Sequence, residues 1–440
     1  MDLLAVVGIL LFAVGLVVSI ALHEIGHLVP AKLFGVKVSQ YMIGFGRTVW
    51  SRKRGETEYG FKAVPLGGYV RMIGMFPPEP GGDGTQLRQS STGLFQTMAR
   101  DARTASREEI QPGDEGRLFY RKAWWKKLII MLGGPAMNVV LAIVLAGGVL
   151  MTFGNPDKPV FAPVVSVVNE CVIPASQAAE AGDDCTGFPD APAAAAGILP
   201  GDRVLEIEGT PVTTWTEVSA AIQAAGEGPM PMVIERDGRR MDLTPDLIMA
   251  ERPDPDGPEG ATVDTSFLGI APTLDHFQQE SVGGTLAWTG GFISNTAEAM
   301  SRIPQRMVDV WDAAFGGGER NPETPVSIVG AGRIGGEIAS ADGLTAAQRV
   351  ATFVMMLASF NMAIAIFNLV PLLPLDGGHA AGAIWEAIKR AFAKVFRRPE
   401  PQPVDVAKAL PLAYGVAVVL IGMSALLIYA DLVNPVRLLG

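Results

Sequence analysis

Four stretches of the chain carry no charged residue and are almost wholly apolar: Leu3–Leu22, Leu128–Pro156, Ala351–Leu375 and Ala409–Ala430. Each is long enough to cross the hydrocarbon core of a bilayer, roughly 30 Å thick, as a helix. The first run has no basic segment ahead of it and no A-x-A site before residue 23, so it reads as a retained helix and not as a signal peptide. Between the runs the pattern changes. Val36–Val70 breaks into short apolar stretches punctuated by Gly44, Gly46, Gly55, Gly67 and Gly68, which predicts several strands with tight turns. Glu79–Gly116 is rich in Gly, Ser, Thr, Arg and Asp and predicts a flexible loop. Val160–Val168, Met232–Arg236 and Met241–Leu247 read as strands, Arg203–Glu208 as an alternating strand between Gly turns, and Trp215–Ala225 as a helix. Residues 281–315 are amphipathic and suit a helix lying on the membrane surface.

The fold class that follows is a polytopic α-helical membrane protein of four transmembrane helices. It carries a membrane-associated β-hairpin region and a mixed α/β domain inserted between the second and third spans. The expected division is 1–29, first span; 30–127, β region and loop; 128–156, second span; 157–275, α/β domain; 276–350, amphipathic linker; 351–378, third span; 379–408, cytoplasmic segment; and 409–431, fourth span.

Charge orients the bundle. The chain of 440 residues is only 18% charged, with mean hydropathy +0.29. Residues 30–127 hold 17 Lys/Arg against 9 Asp/Glu, and residues 376–408 hold 6 against 4, whereas residues 153–350 hold 11 against 29. The positive-inside rule puts the first two segments in the cytoplasm and the acidic one outside, with both termini outside. The acidic segment gives no basis for nucleic-acid binding. It also holds both cysteines, Cys171 and Cys185. These can form a disulfide in an oxidising compartment or remain two free thiols.

The chemistry concentrates at His23-Glu24-Ile25-Gly26-His27, where the first apolar run ends. Histidines four apart share one helix face and can grip one metal ion, and Glu24 is placed to act as general base on water. Two of the four histidines of the chain are in this one motif, and ionisable groups at membrane depth are costly unless they serve a function. A catalytic zinc site needs a third protein ligand. Asp376, after the uncharged run that contains Pro371 and Pro374, is a candidate; a helix-terminal aspartate at the interface is the plainer alternative. His379 is a weaker competitor, read as supporting or structural. Gly133-Gly134-Pro135 with Asn138 in the second span is either a helix-packing kink or a wall of the active site. The Val36–Val70 hairpin, with Gly44, Gly46 and Gly67, either dips into the membrane and offers a strand edge to an extended substrate or is an ordinary cytoplasmic sheet.

These motifs together resemble the bacterial site-2 proteases, the M50 family of intramembrane zinc metalloproteases. The resemblance rests on H-E-x-x-H in the first span, G-x-G and P-L-G-G in the hairpin, G-G-P-x-x-N in the second span and N-x-x-P-x-x-P-L-D-G-G in the third. The outer stretch A-G-I-L-P-G-D-R-V-L-E-I-E-G further resembles one PDZ domain, where some members have two. The resemblance implies Zn2+ held by His23, His27 and Asp376, Glu24 as base, and Asn368 against the substrate backbone. It also implies a multi-pass protein of the bacterial cytoplasmic membrane. Its substrate would be a single-pass membrane protein of the anti-sigma-factor type, first trimmed outside by a site-1 protease. Two other classes stay open: an inactive membrane scaffold whose PDZ-like domain binds exported proteins, and a metal-dependent membrane enzyme acting on a non-peptide substrate. The intact Glu24 speaks against the first, and the candidate strand edge speaks against the second.

Overall fold

A computed structural model describes residues 3–77, 110–177, 182, 184–253, 261–318, 320–321, 323–341 and 344–436. The flexible loop expected over Glu79–Gly116 falls outside the described residues as far as residue 109. The chain divides into two compact units: Met1–Val149 with Ser281–Gly440, and Leu150–Glu280.

The first unit is built on helices. α1 (Leu3–Leu33) continues well past the last residue of the uncharged run, so the histidine motif lies within the helix. Two long strands follow, β1 (Val38–Arg54) and β2 (Thr57–Met72), paired antiparallel. This replaces the several short strands expected from the glycine punctuation. Gly44, Gly46 and Gly67 take positive φ (90°, 86° and 92°), and the pairing register slips repeatedly between Val38 and Trp50. In a ladder this long, such glycines mark bulges that bend a strand and do not end it. Leu28, Val36, Val38, Tyr41 and Ile43 pack with Ile130 and Met131 into a core beneath the hairpin.

α2 (Trp124–Thr152) crosses α1 backbone against backbone. A Cβ on Gly26 would stand 2.2 Å from the Gly133 carbonyl oxygen, and one on Gly133 would stand 2.0 Å from that of Gly26. Small residues at both positions are what permit the approach. The second unit holds β3 (Pro159–Val168), β4 (Arg203–Ile207), α3 (Trp215–Ala225), β5 (Met232–Arg236), β6 (Arg239–Leu243), β7 (Asp246–Pro253), β8 (Thr262–Phe267) and β9 (Ile270–Phe277), with a main apolar core around Val204, Ile234 and Leu247 and a smaller one where Ala250 of β7 and Phe267 of β8 meet Val172 and Ala191. The main sheet runs β9-β3-β4-β5-β6, and β8 pairs with β7. The single strand expected over Met241–Leu247 is two, because Pro245 cannot donate to a ladder and breaks the run. α3 opens on a capping box, with Thr214 and Glu217 bonding each other's backbone N–H. Cys171 and Cys185 are joined by a disulfide.

The first unit then resumes. α4 (Val282–Ser301), α5 (Ile303–Phe315) and α6 (Ile328–Ser340) precede α7 (Ala346–Asn368), α8 (Asp376–Val395) and α9 (Leu410–Val433). α6 packs glycine to glycine on α1: a Cβ on Gly8 would lie 2.3 Å from the Gly335 oxygen. The third span was expected over 351–378 with prolines breaking its end; α7 ends at Asn368, since Pro371 and Pro374 cannot continue a helix, and the helix α8 opens the segment 379–408 that charge assigns to the cytoplasm. Among the described residues four helical stretches are long and apolar enough to cross a membrane: Leu3–Leu33, Trp124–Thr152, Ala346–Asn368 and Val406–Val433.

Candidate metal centre

His23 and His27 lie one turn apart on α1, both buried, at 9% and 5% exposure. Opposite them the chain reverses between α7 and α8. Gly377 and Gly378 make the reversal possible: a Cβ on Gly377 would stand 2.3 Å from the Val370 oxygen, and one on Gly378 would stand 2.6 Å from the Leu373 nitrogen. The turn delivers Asp376, the first residue of α8, to the two histidines. His23 Nε2 and His27 Nε2 are 3.3 Å apart. Asp376 Oδ2 is 3.3 Å from each of them.

This triangle fits a tetrahedral ion. With zinc–ligand bonds of about 2.0–2.1 Å, neighbouring donors of a tetrahedron stand about 3.3–3.4 Å apart. The protonation pattern points the same way. His27 Nδ1 lies 2.7 Å from the Ile130 carbonyl oxygen, which can only accept, so Nδ1 carries the proton and Nε2 presents a lone pair. Asp376 Oδ2 is a buried oxygen to which no described group donates a hydrogen bond. Lone pairs facing one another across a buried gap repel, and a cation between them removes the repulsion. The gap is also kept clear on the α2 side. A Cβ at Gly134 would stand 2.2 Å from His27 Nε2 and 2.7 Å from His23 Nε2. The donor set of two imidazoles and one carboxylate, with a position left open, is that of a catalytic zinc.

The three residues line a cavity of about 460 Å³ within the helical unit. Glu24 is on its wall, buried at 8% exposure, and packs against the hairpin: a Cβ on Gly68 would stand 2.9 Å from Glu24 Cγ. Gly67, Asn138, Asn368 and His379 line the same cavity. Asn138 is fully buried, and neither atom of its amide has a hydrogen-bonding partner among the described residues. A buried amide beside a cavity, unpaired within the protein, is set to bond whatever occupies it. Gly44 and Gly46 are not among the residues that line it; they lie in the bulged part of β1. His379 is on the wall but outside the group of three converging donors.

Several supporting residues carry no motif of their own. The Ile130 carbonyl orients His27, and Gly68 makes room for Glu24. Asn361, buried at 1% exposure, donates to Ser19 Oγ at 3.0 Å and ties α7 to α1 one turn from His23. An Asn and a Ser inside uncharged spans are the one signal that marks this tie in the sequence, since polar groups at such depth need partners.

Residues 11–399 match the family model described as peptidase family M50. The zinc metalloprotease Rip1 of Mycobacterium tuberculosis is 36% identical over 98% of this chain and 99% of its own length. Rip1 of Mycolicibacterium smegmatis is 35% identical over 98% of each chain. The metalloprotease MmpA of Caulobacter vibrioides is 28% identical over 87% of this chain and 86% of its own. The chain belongs to peptidase family M50, the site-2 protease family.

Proposed function

We propose that this protein hydrolyses a peptide bond within the membrane-spanning segment of a single-pass membrane protein, with His23, His27 and Asp376 holding the metal and Glu24 acting as base. Membership of its family makes it a zinc-dependent protease. The observation that carries the rest is the triangle of donors 3.3 Å apart, on the wall of a cavity that also holds a buried carboxylate.

Zinc bound at these residues supplies Lewis-acid polarisation of the scissile carbonyl and brings water's acidity toward neutral pH. Glu24 takes the proton of the attacking water at its carboxylate and passes it to the departing amine. Asn138 and Asn368 offer amide N–H donors to the substrate carbonyl as negative charge builds on its oxygen. A helical substrate hides its carbonyls in i→i−4 bonds and must unwind before attack. Gly67, Gly68, Tyr69 and Val70 of β2 line the cavity, so an unwound segment can replace its lost bonds by pairing with this strand.

The basic and acidic segments orient the protein in a bacterial cytoplasmic membrane with the Leu150–Glu280 unit outside. That unit is read as PDZ-like, and it serves as a size filter that admits substrates already trimmed by an upstream protease. An anti-sigma factor is a substrate of this kind. The test uses purified protein in liposomes with a tagged membrane-protein fragment. Chelator stops cleavage and added zinc restores it; cleavage that continues after the metal has been removed overturns the reading.

A further inference from the structure

Of the helices in the membrane unit, α8 is patterned unlike the four spans. One stripe of it, Gly377, Ala380, Ala383, Glu386 and Ala393, is buried. A second stripe, Ile384, Trp385, Ile388, Phe392, Val395 and Phe396, is 47–75% exposed. Steps of four and three place 384, 388, 392 and 395 on one face. Residues 389–398 add five basic side chains, Lys389, Arg390, Lys394, Arg397 and Arg398, and no acidic one. Arg390 is engaged by Glu386 and Glu400, at 3.1 and 2.8 Å, while Lys394 and Arg397 are exposed.

Depth is set by a buried ion pair. Lys127 Nζ donates to Glu386 Oε2 at 2.6 Å, and both residues are buried. Lys127 belongs to the first turn of α2, directly after Trp124, Trp125 and Lys126. Aromatic and basic residues in that order mark where a span meets the headgroups. The pair therefore holds the middle of α8 at the level where α2 enters the membrane. The chain also leaves a span, α7, just before α8 and enters another, α9, just after it.

We propose that α8 lies in the plane of the membrane and docks on anionic lipid, with the Ile384–Phe396 stripe in the acyl boundary and the basic residues of its C-terminal half on the headgroups. An exposed apolar stripe flanked by uncompensated positive charge, held at the boundary and tethered to a span at each end, is complementary to such a surface.

The test uses the full-length protein in nanodiscs of phosphatidylcholine, alone or mixed with phosphatidylglycerol. Because Cys171 and Cys185 are bonded to each other, F392C and K394C each supply a single free thiol for a fluorophore. Brominated acyl chains should quench the label at 392 strongly and the label at 394 weakly. Replacing four charges (K389Q, K394Q, R397Q and R398Q together) should lower phosphatidylglycerol retained per protein by about tenfold or more. Equal quenching at the two positions, or a charge variant that retains as much phosphatidylglycerol as the parent, overturns the proposal. An unquenched label at 392 would mean that protein, not lipid, covers the stripe. F392C keeps every charge, so it reports even if the charge variant does not fold.

Discussion

Two aspartates show how differently the two units are built. Asp202, in the β-rich unit, is wholly buried and fully partnered: Arg236 donates to both of its oxygens at 2.7 Å, and the Leu199 N–H donates at 2.8 Å. Asp376, in the helical unit, is half-buried, and it presents to two imidazoles a buried oxygen, Oδ2, to which no described group donates a hydrogen bond. The interiors around them differ in the same sense. Val204, Met230 and Ile234 fill the β-rich core at 0% exposure. In the helical unit Leu3, Leu10 and Val418 face outward at 76%, 60% and 69%, while His23, Glu24, His27 and Asn138 are inside. Water drives the first arrangement; a bilayer, as apolar as leucine, permits the second. A satisfied buried carboxylate holds a fold together, whereas an unsatisfied one among lone pairs is poised for a ligand.

The largest effect is expected at Glu24. Glu24→Gln should keep bound zinc and lower peptide cleavage by about 100- to 10,000-fold, because an amide cannot take the proton of water. Cleavage by this variant at near the parent rate, with zinc present, removes Glu24 from its role.

A second effect concerns substrate range. Pro159 and Phe277 are partners in the ladder of β3 and β9, so a short Gly/Ser linker can replace residues 160–276 without straining either neighbour. If the unit is a size filter, the full protein should refuse substrates that keep their outer domain, and the shortened protein should cut them while still cutting trimmed ones. Refusal of untrimmed substrate by a shortened protein that handles trimmed substrate normally sinks the size filter.

The smallest effect on catalysis is expected at Asp202. Burial pushes its carboxyl up, but the Arg236 guanidinium and the Leu199 N–H more than offset this and hold it below the usual carboxylate range. The folded-state value is depressed, so the stabilisation is complete above the unfolded value of about 3.9 and is lost as pH falls through the lower folded value. Asp202→Asn should weaken amide protection of β4 and β5 at pH 7, flatten its acid dependence below about pH 4, and leave cleavage of a trimmed substrate unchanged. Hydrogen exchange on the whole protein reads the first two, and protection equal to the parent's at pH 7 contradicts the structural role.

What the sequence makes legible follows from the range of each signal. The spans are visible because an uncharged run is a local property, and His23 with His27 because one helical turn fixes them. The capping box at Thr214 and Glu217 is likewise local. Less visible is whatever depends on close approach. The crossing of Gly26 and Gly133 and the clearance at Gly134 need two helices in register, and no period along one of them encodes it. The strands of the hairpin run through glycines that look like stops, since a bulge and a turn use the same residue. α8 hides because its apolar stripe is interleaved with basic residues and so gives no uncharged run.

Zinc content of two variants separates the third metal ligand from its neighbour on the cavity wall. Asp376→Ala and His379→Ala each remove a polar side chain from the same cavity wall, but only Asp376 Oδ2 stands with the two imidazole nitrogens. Purified side by side and titrated with a competing chelator, the Asp376→Ala protein should lose zinc affinity by well over the roughly 10- to 100-fold typical of an outer-shell change, while His379→Ala should remain within that range. The reverse order, with zinc retained without Asp376 and lost without His379, would contradict the assignment of the third ligand.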